Sequence, residues 1–99
     1  MNAQCNLAWI LATSSDASLR DGAKAVELAS YVARRTGHPN AIVLRTLAAG
    51  YAETGRFSEA ISAAQQALQL AISQGNSPLA ADLQRNIDSY QMNLPLRAR

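Results

Sequence analysis

Leu44-Arg-Thr-Leu-Ala-Ala-Gly-Tyr-Ala-Glu-Thr-Gly55 is the stretch that decides the fold of this chain. Within it, Leu47, Ala48 and Tyr51 are spaced three and four residues apart, so they share one face of a helix. Gly55 can adopt the left-handed conformation that ends such a helix. Downstream, one face of a second helix carries only alanines, at Ala60, Ala64 and Ala67. Because alanines leave a shallow face against which leucine and a tyrosine ring can pack, the two segments predict an antiparallel helical hairpin.

These residues resemble the tetratricopeptide repeat, a helical hairpin with a period of about 34 residues. Six positions fit the family pattern, namely Leu47, Ala48, Tyr51, Gly55, Ala60 and Ala67. Three depart from it: Leu44 stands for tryptophan, Ala64 for an aromatic residue and Ile72 for proline. The resemblance implies an all-α fold in which antiparallel hairpins stack as a short right-handed superhelix. It also implies a protein–protein interaction role.

An irregular first repeat, about residues 1–39, is expected before the clear one. Its first helix is predicted from about Asn2 to Thr13, and its second, capped by Asp21, reaches about Arg35. Apolar residues recur in both helices at the same spacing as in the clear repeat. They are Leu7, Ala8 and Leu11 in the first helix and Ala25, Ala29 and Val32 in the second.

The clear repeat covers about residues 41–74 and supplies the third and fourth helices. Ser58 is predicted to cap the fourth helix. A fifth helix, about 78–92, opens with Ser77 as N-cap and Pro78 in the first helical position. One apolar face of this last helix comprises Leu79, Leu83, Ile87 and Tyr90. It resembles the capping helix that closes tetratricopeptide arrays, and the five helices complete the predicted fold.

Length and composition fit this prediction. The 99 residues form one domain, 1–92, with a tail over 93–99. Apolar residues make up 48% of the chain and aromatic residues 5%, so the core is expected to consist of Ala, Leu, Ile and Val. No segment approaches the roughly 20 apolar residues that a membrane span needs. No basic leader precedes the first helix, so we expect no membrane partner and a cytoplasmic location.

The sequence offers little for chemistry. Cys5 and His38 are the only cysteine and the only histidine, which excludes an internal disulfide and a His- or Cys-based metal cage. His38 lies beside Pro39 in a predicted turn and has no partner that would make it a catalytic base. We therefore expect no enzyme activity, no metal and no cofactor.

The tetratricopeptide resemblance implies a binding groove lined by the first helix of each repeat. The family positions that line this groove correspond in this chain to Cys5, Trp9, Ile42, Arg45, Ala49, Glu53, Ala81, Arg85 and Asp88. Six of these are the predicted partner-binding residues: Trp9, Arg45, Ala49, Glu53, Arg85 and Asp88. They suit an extended or helical peptide with an apolar anchor and a carboxylate. Two alternatives are open for Trp9, which either contacts a ligand or packs against the connection 14–21.

Three functions follow as hypotheses. The first is an adaptor that binds a peptide or partner protein. The second is a structural unit that self-associates through the N-terminal edge, where Leu7 or Ile10 needs cover, or that ends a longer bacterial array. The third is nucleic-acid binding through Arg34 and Arg35. A net charge of +2, dispersed along the chain, speaks against this third reading, so no nucleic-acid partner is expected.

Overall fold

The protein is described by a computed structural model, which covers residues 3–14, 20–36 and 40–95 and gives side chains for 7–14, 20–35 and 40–95. In this part of the chain there are five α-helices and no strands. They are α1 (Ala3–Thr13), α2 (Gly22–Thr36), α3 (Ala41–Glu53), α4 (Phe57–Ser73) and α5 (Ser77–Gln91). The predicted all-α fold of five helices is confirmed. The side chain of Cys5, the turn residues Gly37 to Pro39 and the tail from residue 96 lie outside the described residues.

Side-chain caps set the start of three helices. The backbone N–H of Lys24 donates to Oδ1 of Asp21 over 3.0 Å, which confirms the predicted cap of α2. Oδ1 of Asn40 accepts from the backbone N–H groups of Ile42 and Val43 at the start of α3. Each such cap satisfies amide donors that have no partner within the helix and contributes about 1 kcal/mol.

Two predicted caps are wrong. Helix α4 begins at Phe57, so Ser58 lies inside the first turn, and the N-cap is Arg56, whose side chain makes no capping bond. Helix α5 takes Asn76 as its cap, because Oδ1 of Asn76 accepts from the N–H of Leu79 over 3.2 Å. Ser77 is therefore the first helical residue. In both cases the turn that ends the preceding helix fixes where the next one begins.

The ends of α3 and α4 share one geometry. Gly55 and Gly75 both have positive φ, at 83° and 69°. The N–H two residues after the C-cap then donates to a carbonyl of the last turn: Arg56 to Tyr51 over 2.8 Å, and Asn76 to Ala71 over 2.9 Å. These are Schellman motifs, and the positive φ of Gly55 is the helix-ending conformation that the sequence predicted. Helix α5 ends in the same way, with Asn93 as the left-handed residue at φ 59°.

Each helix packs against the next one along the chain, and α1 also packs against α3. The buried residues of the interfaces are mostly alanines, and Leu, Ile and Val, also expected from the composition, contribute fewer. The predicted alanine faces are fully buried, at Ala25 and Ala29 in α2 and at Ala60, Ala64 and Ala67 in α4. Small side chains allow close approach of the helix axes, so large residues fill only the remaining gaps.

Helix α5 covers α4 with the predicted face, since Leu79, Leu83, Ile87 and Tyr90 are all buried. Tyr90 is fully buried and packs with alanines of both α3 and α4. Tyr51, whose ring was predicted to pack on the alanine face of α4, is half-buried and packs against the edge of this same cluster. The ring that occupies its centre therefore comes from the closing helix.

Candidate functional site

Trp9 of α1 and Arg45 of α3, both at predicted groove positions, are in contact with each other. The guanidinium carbon of Arg45 lies 4.1 Å from the centroid of the Trp9 ring, well within the range of a cation–π interaction. Both side chains are half-buried. Since the two residues come from different helices, their contact depends on the α1–α3 packing. We call this pair and the surface around it the Trp9–Arg45 face.

Trp9 also packs against the core. It lies on the cluster of buried alanines formed by Ala8 and Ala12 of α1, Ala25 and Ala29 of α2 and Ala49 of α3. Thr13, one turn later, donates its hydroxyl to the carbonyl of Trp9 over 2.8 Å, which ties the end of α1 to this position. The indole therefore packs against these alanines, while the guanidinium of Arg45 lies over its ring. The alternative prediction was that Trp9 packs against the connection 14–21. Residues 15–19 of this connection lie outside the described residues.

Arg45 differs in its surroundings from three other arginines of the described residues. Arg20, Arg56 and Arg85 each form an ion pair with a carboxylate. Among the described residues, no carboxylate lies within ion-pair distance of Arg45. The fork of N–H donors on its guanidinium is thus held by stacking rather than by an anion.

The charge of Arg45 also acts on Tyr90 of α5. Burial raises the pKa of the Tyr90 phenol well above its ordinary value, and the positive charge of Arg45 opposes this rise. The Tyr90 hydroxyl is buried and has no hydrogen-bond partner among the described residues. Side chains from α1, α3 and α5 thus influence one another around Arg45.

Ala49 and Glu53, two further predicted groove residues, are placed differently. Ala49 is 1% exposed and belongs to the alanine cluster between the first three helices, so its side chain does not line an open surface. Glu53 pairs with Arg20 at 3.4 Å, and both side chains are largely buried. In this chain the side chains of Ala49 and Glu53 face α1 and the start of α2, because α3 packs closely against both helices.

Arg85 and Asp88 lie on the exposed side of α5. Arg85 forms an ion pair with Asp82 within the same helix. Asp88 accepts a hydrogen bond from Nε2 of Gln84 over 3.2 Å. The polar contacts of both residues are therefore local to α5, whereas those of the Trp9–Arg45 face join separate helices.

Two surface depressions adjoin one another on the outer side of α4, and the sequence reasoning missed both. A depression of about 250 Å³ lies between α3 and α4, with Leu44, Leu47 and Tyr51 in its wall. A larger one of about 520 Å³ lies between α4 and α5. Ser62 and Gln66 line both and form the ridge between them. The available signal was the run of glutamines on the polar sides of α4 and α5.

The described residues contain neither a metal site nor a membrane-spanning helix. No group of three His, Cys, Asp or Glu side chains in the described residues could hold a metal ion. No helix in that part of the chain is long and apolar enough to cross a bilayer. Comparisons with protein-family models, with curated proteins and with solved structures gave no match for this chain.

Proposed function

We propose that this chain is a non-catalytic, cytoplasmic interaction module that binds a peptide or partner protein through the Trp9–Arg45 face. The observation that carries the proposal is the stacked pair itself. An indole and a guanidinium from different helices lie 4.1 Å apart, and the arginine lacks a carboxylate partner among the described residues. Tryptophan and arginine are the side chains most enriched at binding hot spots.

The chemistry of the pair suggests what it binds. An arginine held by stacking keeps its guanidinium plane fixed, so less side-chain entropy is lost when its N–H groups meet an anion. A carboxylate can accept two parallel hydrogen bonds from that fork. The indole beside it offers an apolar surface for a neighbouring ligand side chain. A peptide that carries a carboxylate next to an apolar residue is therefore the expected ligand.

The tetratricopeptide resemblance supports the same proposal from the sequence. Arrays of that family bind partners with the first helices of successive repeats. Under this proposal α1 and α3 are the helices that correspond to them, and these two helices pack against each other. Arg85 and Asp88 of α5 would extend the binding surface only if a ligand reaches beyond the Trp9–Arg45 face.

An array of peptides with free or amidated C-termini tests the proposal. Binding is followed by the fluorescence of Trp9, the one tryptophan of the chain. Peptides with a free carboxylate beside an apolar residue should bind, and Arg45→Gln should weaken them at least about tenfold, since a charge-assisted bond contributes about 1.5–3 kcal/mol. Arg34→Gln is the matched control, because Arg34 is exposed on α2. Equal binding by both variants would end the proposal.

Self-association is the second candidate, and one observation favours it. Leu7 and Ile10 on α1 are 47% and 49% exposed, so the outer side of this helix lacks apolar cover within the described chain. A second copy, or a preceding repeat of a longer array, would bury them. Sedimentation equilibrium should then show a dimer that Ile10→Glu dissociates. Ile72→Glu, at a residue 58% exposed on α4, is the control that should leave the dimer intact.

A further inference from the structure

The larger depression beside α4 is lined mainly by glutamines. It lies between α4 and α5 and measures about 520 Å³, within the usual range of ligand sites. Both of its walls carry amides, with Gln65 and Gln69 on α4 and Gln84 and Gln91 on α5. Leu68 and Ile87 are the more buried members of the lining. We call this depression the glutamine trough.

Charge is missing from its lining. The described side chains that line the trough are neutral, being glutamines, one serine and two aliphatic residues. A charged ligand would lose water there without gaining an opposite charge. Each glutamine amide offers two N–H donors and a carbonyl acceptor. A peptide backbone presents one donor and one acceptor per residue and no net charge, so its hydrogen-bonding groups complement the lining.

One glutamine of the lining is already oriented. Nε2 of Gln84 donates to Oδ1 of Asp88 over 3.2 Å, one turn along α5. This bond uses one of the two N–H donors of the amide and restricts its rotation. Less side-chain entropy is then lost when the same amide meets a ligand. Asp88, which the sequence predicted as a direct contact, thus acts as a positioning residue for the trough.

The spacing of the amides matches an extended chain. Gln65 and Gln69 are four residues apart on α4, which separates them by about 6 Å along the helix axis. An extended chain repeats every two residues, over about 6.6 Å. The two amides can therefore contact alternate peptide groups of one strand-like segment. The α4 wall, from Ser62 to Gln69, is about 10 Å long, enough for three extended residues.

We propose that the glutamine trough binds a short, extended and uncharged segment of a partner polypeptide. Glutamine amides of both helices hydrogen-bond its backbone, and one apolar side chain of the segment packs on Leu68 and Ile87. The site is built from α4 and α5 alone, so it is independent of the Trp9–Arg45 face. It should also respond differently to salt, because the side chains that line the trough and the segment that they contact are uncharged.

The test uses the full chain labelled with ¹⁵N and a blocked hexapeptide of alternating serine and valine. Its twin has the same sequence with N-methylated backbone amides, which removes the donors. The side-chain amide signals of the trough glutamines should shift saturably with the first peptide. Affinity should be unchanged between about 50 and 500 mM salt. The N-methylated twin should bind at least about tenfold more weakly, since several hydrogen bonds are lost.

Variants test whether the glutamines of the trough form the binding site. The double change Gln65→Ala and Gln69→Ala should weaken binding at least about fivefold, and it preserves the fold because alanine favours helix. Gln74→Ala removes an exposed glutamine outside the trough and should change nothing. Arg45→Gln should also leave this binding intact, so the two proposals fail separately.

Three results would overturn the proposal. The first is the absence of saturable shifts up to the solubility limit of the peptide. The second is equal binding of the N-methylated twin. The third is glutamine shifts that follow protein concentration without peptide, which would show that a second copy of the chain occupies the trough.

Discussion

A Cβ atom on Gly50 of α3 would lie 3.1 Å from the backbone nitrogen of Val26 in α2. It would also lie 3.0 Å from a methyl group of the same valine. Gly50 stands in the interior of a helix, where glycine is usually about 1 kcal/mol less favourable than alanine. Close approach of α2 and α3 explains its presence, because the obstacle includes backbone, which cannot rotate away.

Gly50→Ala should therefore lower the free energy of unfolding by about 1–2 kcal/mol, although alanine is the better helix former. Urea denaturation measures the change, with no change expected in the slope against denaturant. Gln65→Ala, at an exposed position of α4, is the control and should be neutral or slightly stabilising. A stabilised Gly50→Ala protein would show that α2 and α3 are further apart than described.

Tyr90→Phe should leave stability at neutral pH unchanged or raise it by up to about 1 kcal/mol. The Tyr90 hydroxyl is buried without a hydrogen-bond partner among the described residues, so its removal relieves a desolvation cost. Tyr90→Ala, in contrast, empties the centre of the α3–α4–α5 cluster and should cost about 3–5 kcal/mol. A loss above about 1 kcal/mol for Tyr90→Phe would reveal a hydrogen bond to this hydroxyl.

The ion pair between Arg20 and Glu53 should stabilise the contact between the residues that precede α2 and the end of α3. Besides its ion pair with Glu53, Arg20 donates from a guanidinium nitrogen to the carbonyl of Ser14. The side chains are only 22% and 16% exposed, so water screens the pair less than a surface pair. A double-mutant cycle with Arg20→Met and Glu53→Gln should give a coupling of about 1 kcal/mol. The same cycle on Lys24 and Glu27, both exposed, should give about 0.3 kcal/mol.

Local features of this fold and the faces that pack were predictable from the sequence, whereas the individual side-chain pairs that meet between helices were not. The 3.6-residue period of the alanines and the helix-ending glycine at position 55 depend on backbone geometry alone, so both predictions hold. Ser58 and Ser77 failed as caps because adjacent residues compete for the same role and the preceding turn decides between them.

The candidate site shows the same division. Trp9 and Arg45 were both selected as groove positions that the family resemblance implies, but their stacking depends on how α1 and α3 pack, which no single-helix pattern gives. Ala49 was assigned to an open surface by the same resemblance and is buried for the same reason. The glutamine trough was missed because exposed glutamines are unremarkable until two helices bring them together.

Alkaline pH should destabilise the protein through Tyr90. Burial raises the pKa of this phenol in the folded state above the ordinary value of 10.0, so the unfolded chain loses its proton first. The contribution is fully present below pH 10 and is lost as pH rises from there toward the folded-state pKa, at about 1.4 kcal/mol per pH unit. The informative quantity is the difference between wild type and Tyr90→Phe, because this difference isolates the contribution of the Tyr90 phenol. Urea titrations at pH 9, 10, 10.5 and 11 should show the wild type losing about 1 kcal/mol more than the variant by pH 11. Parallel losses in the two proteins would mean that the phenol ionises as easily in the folded state as in the unfolded chain.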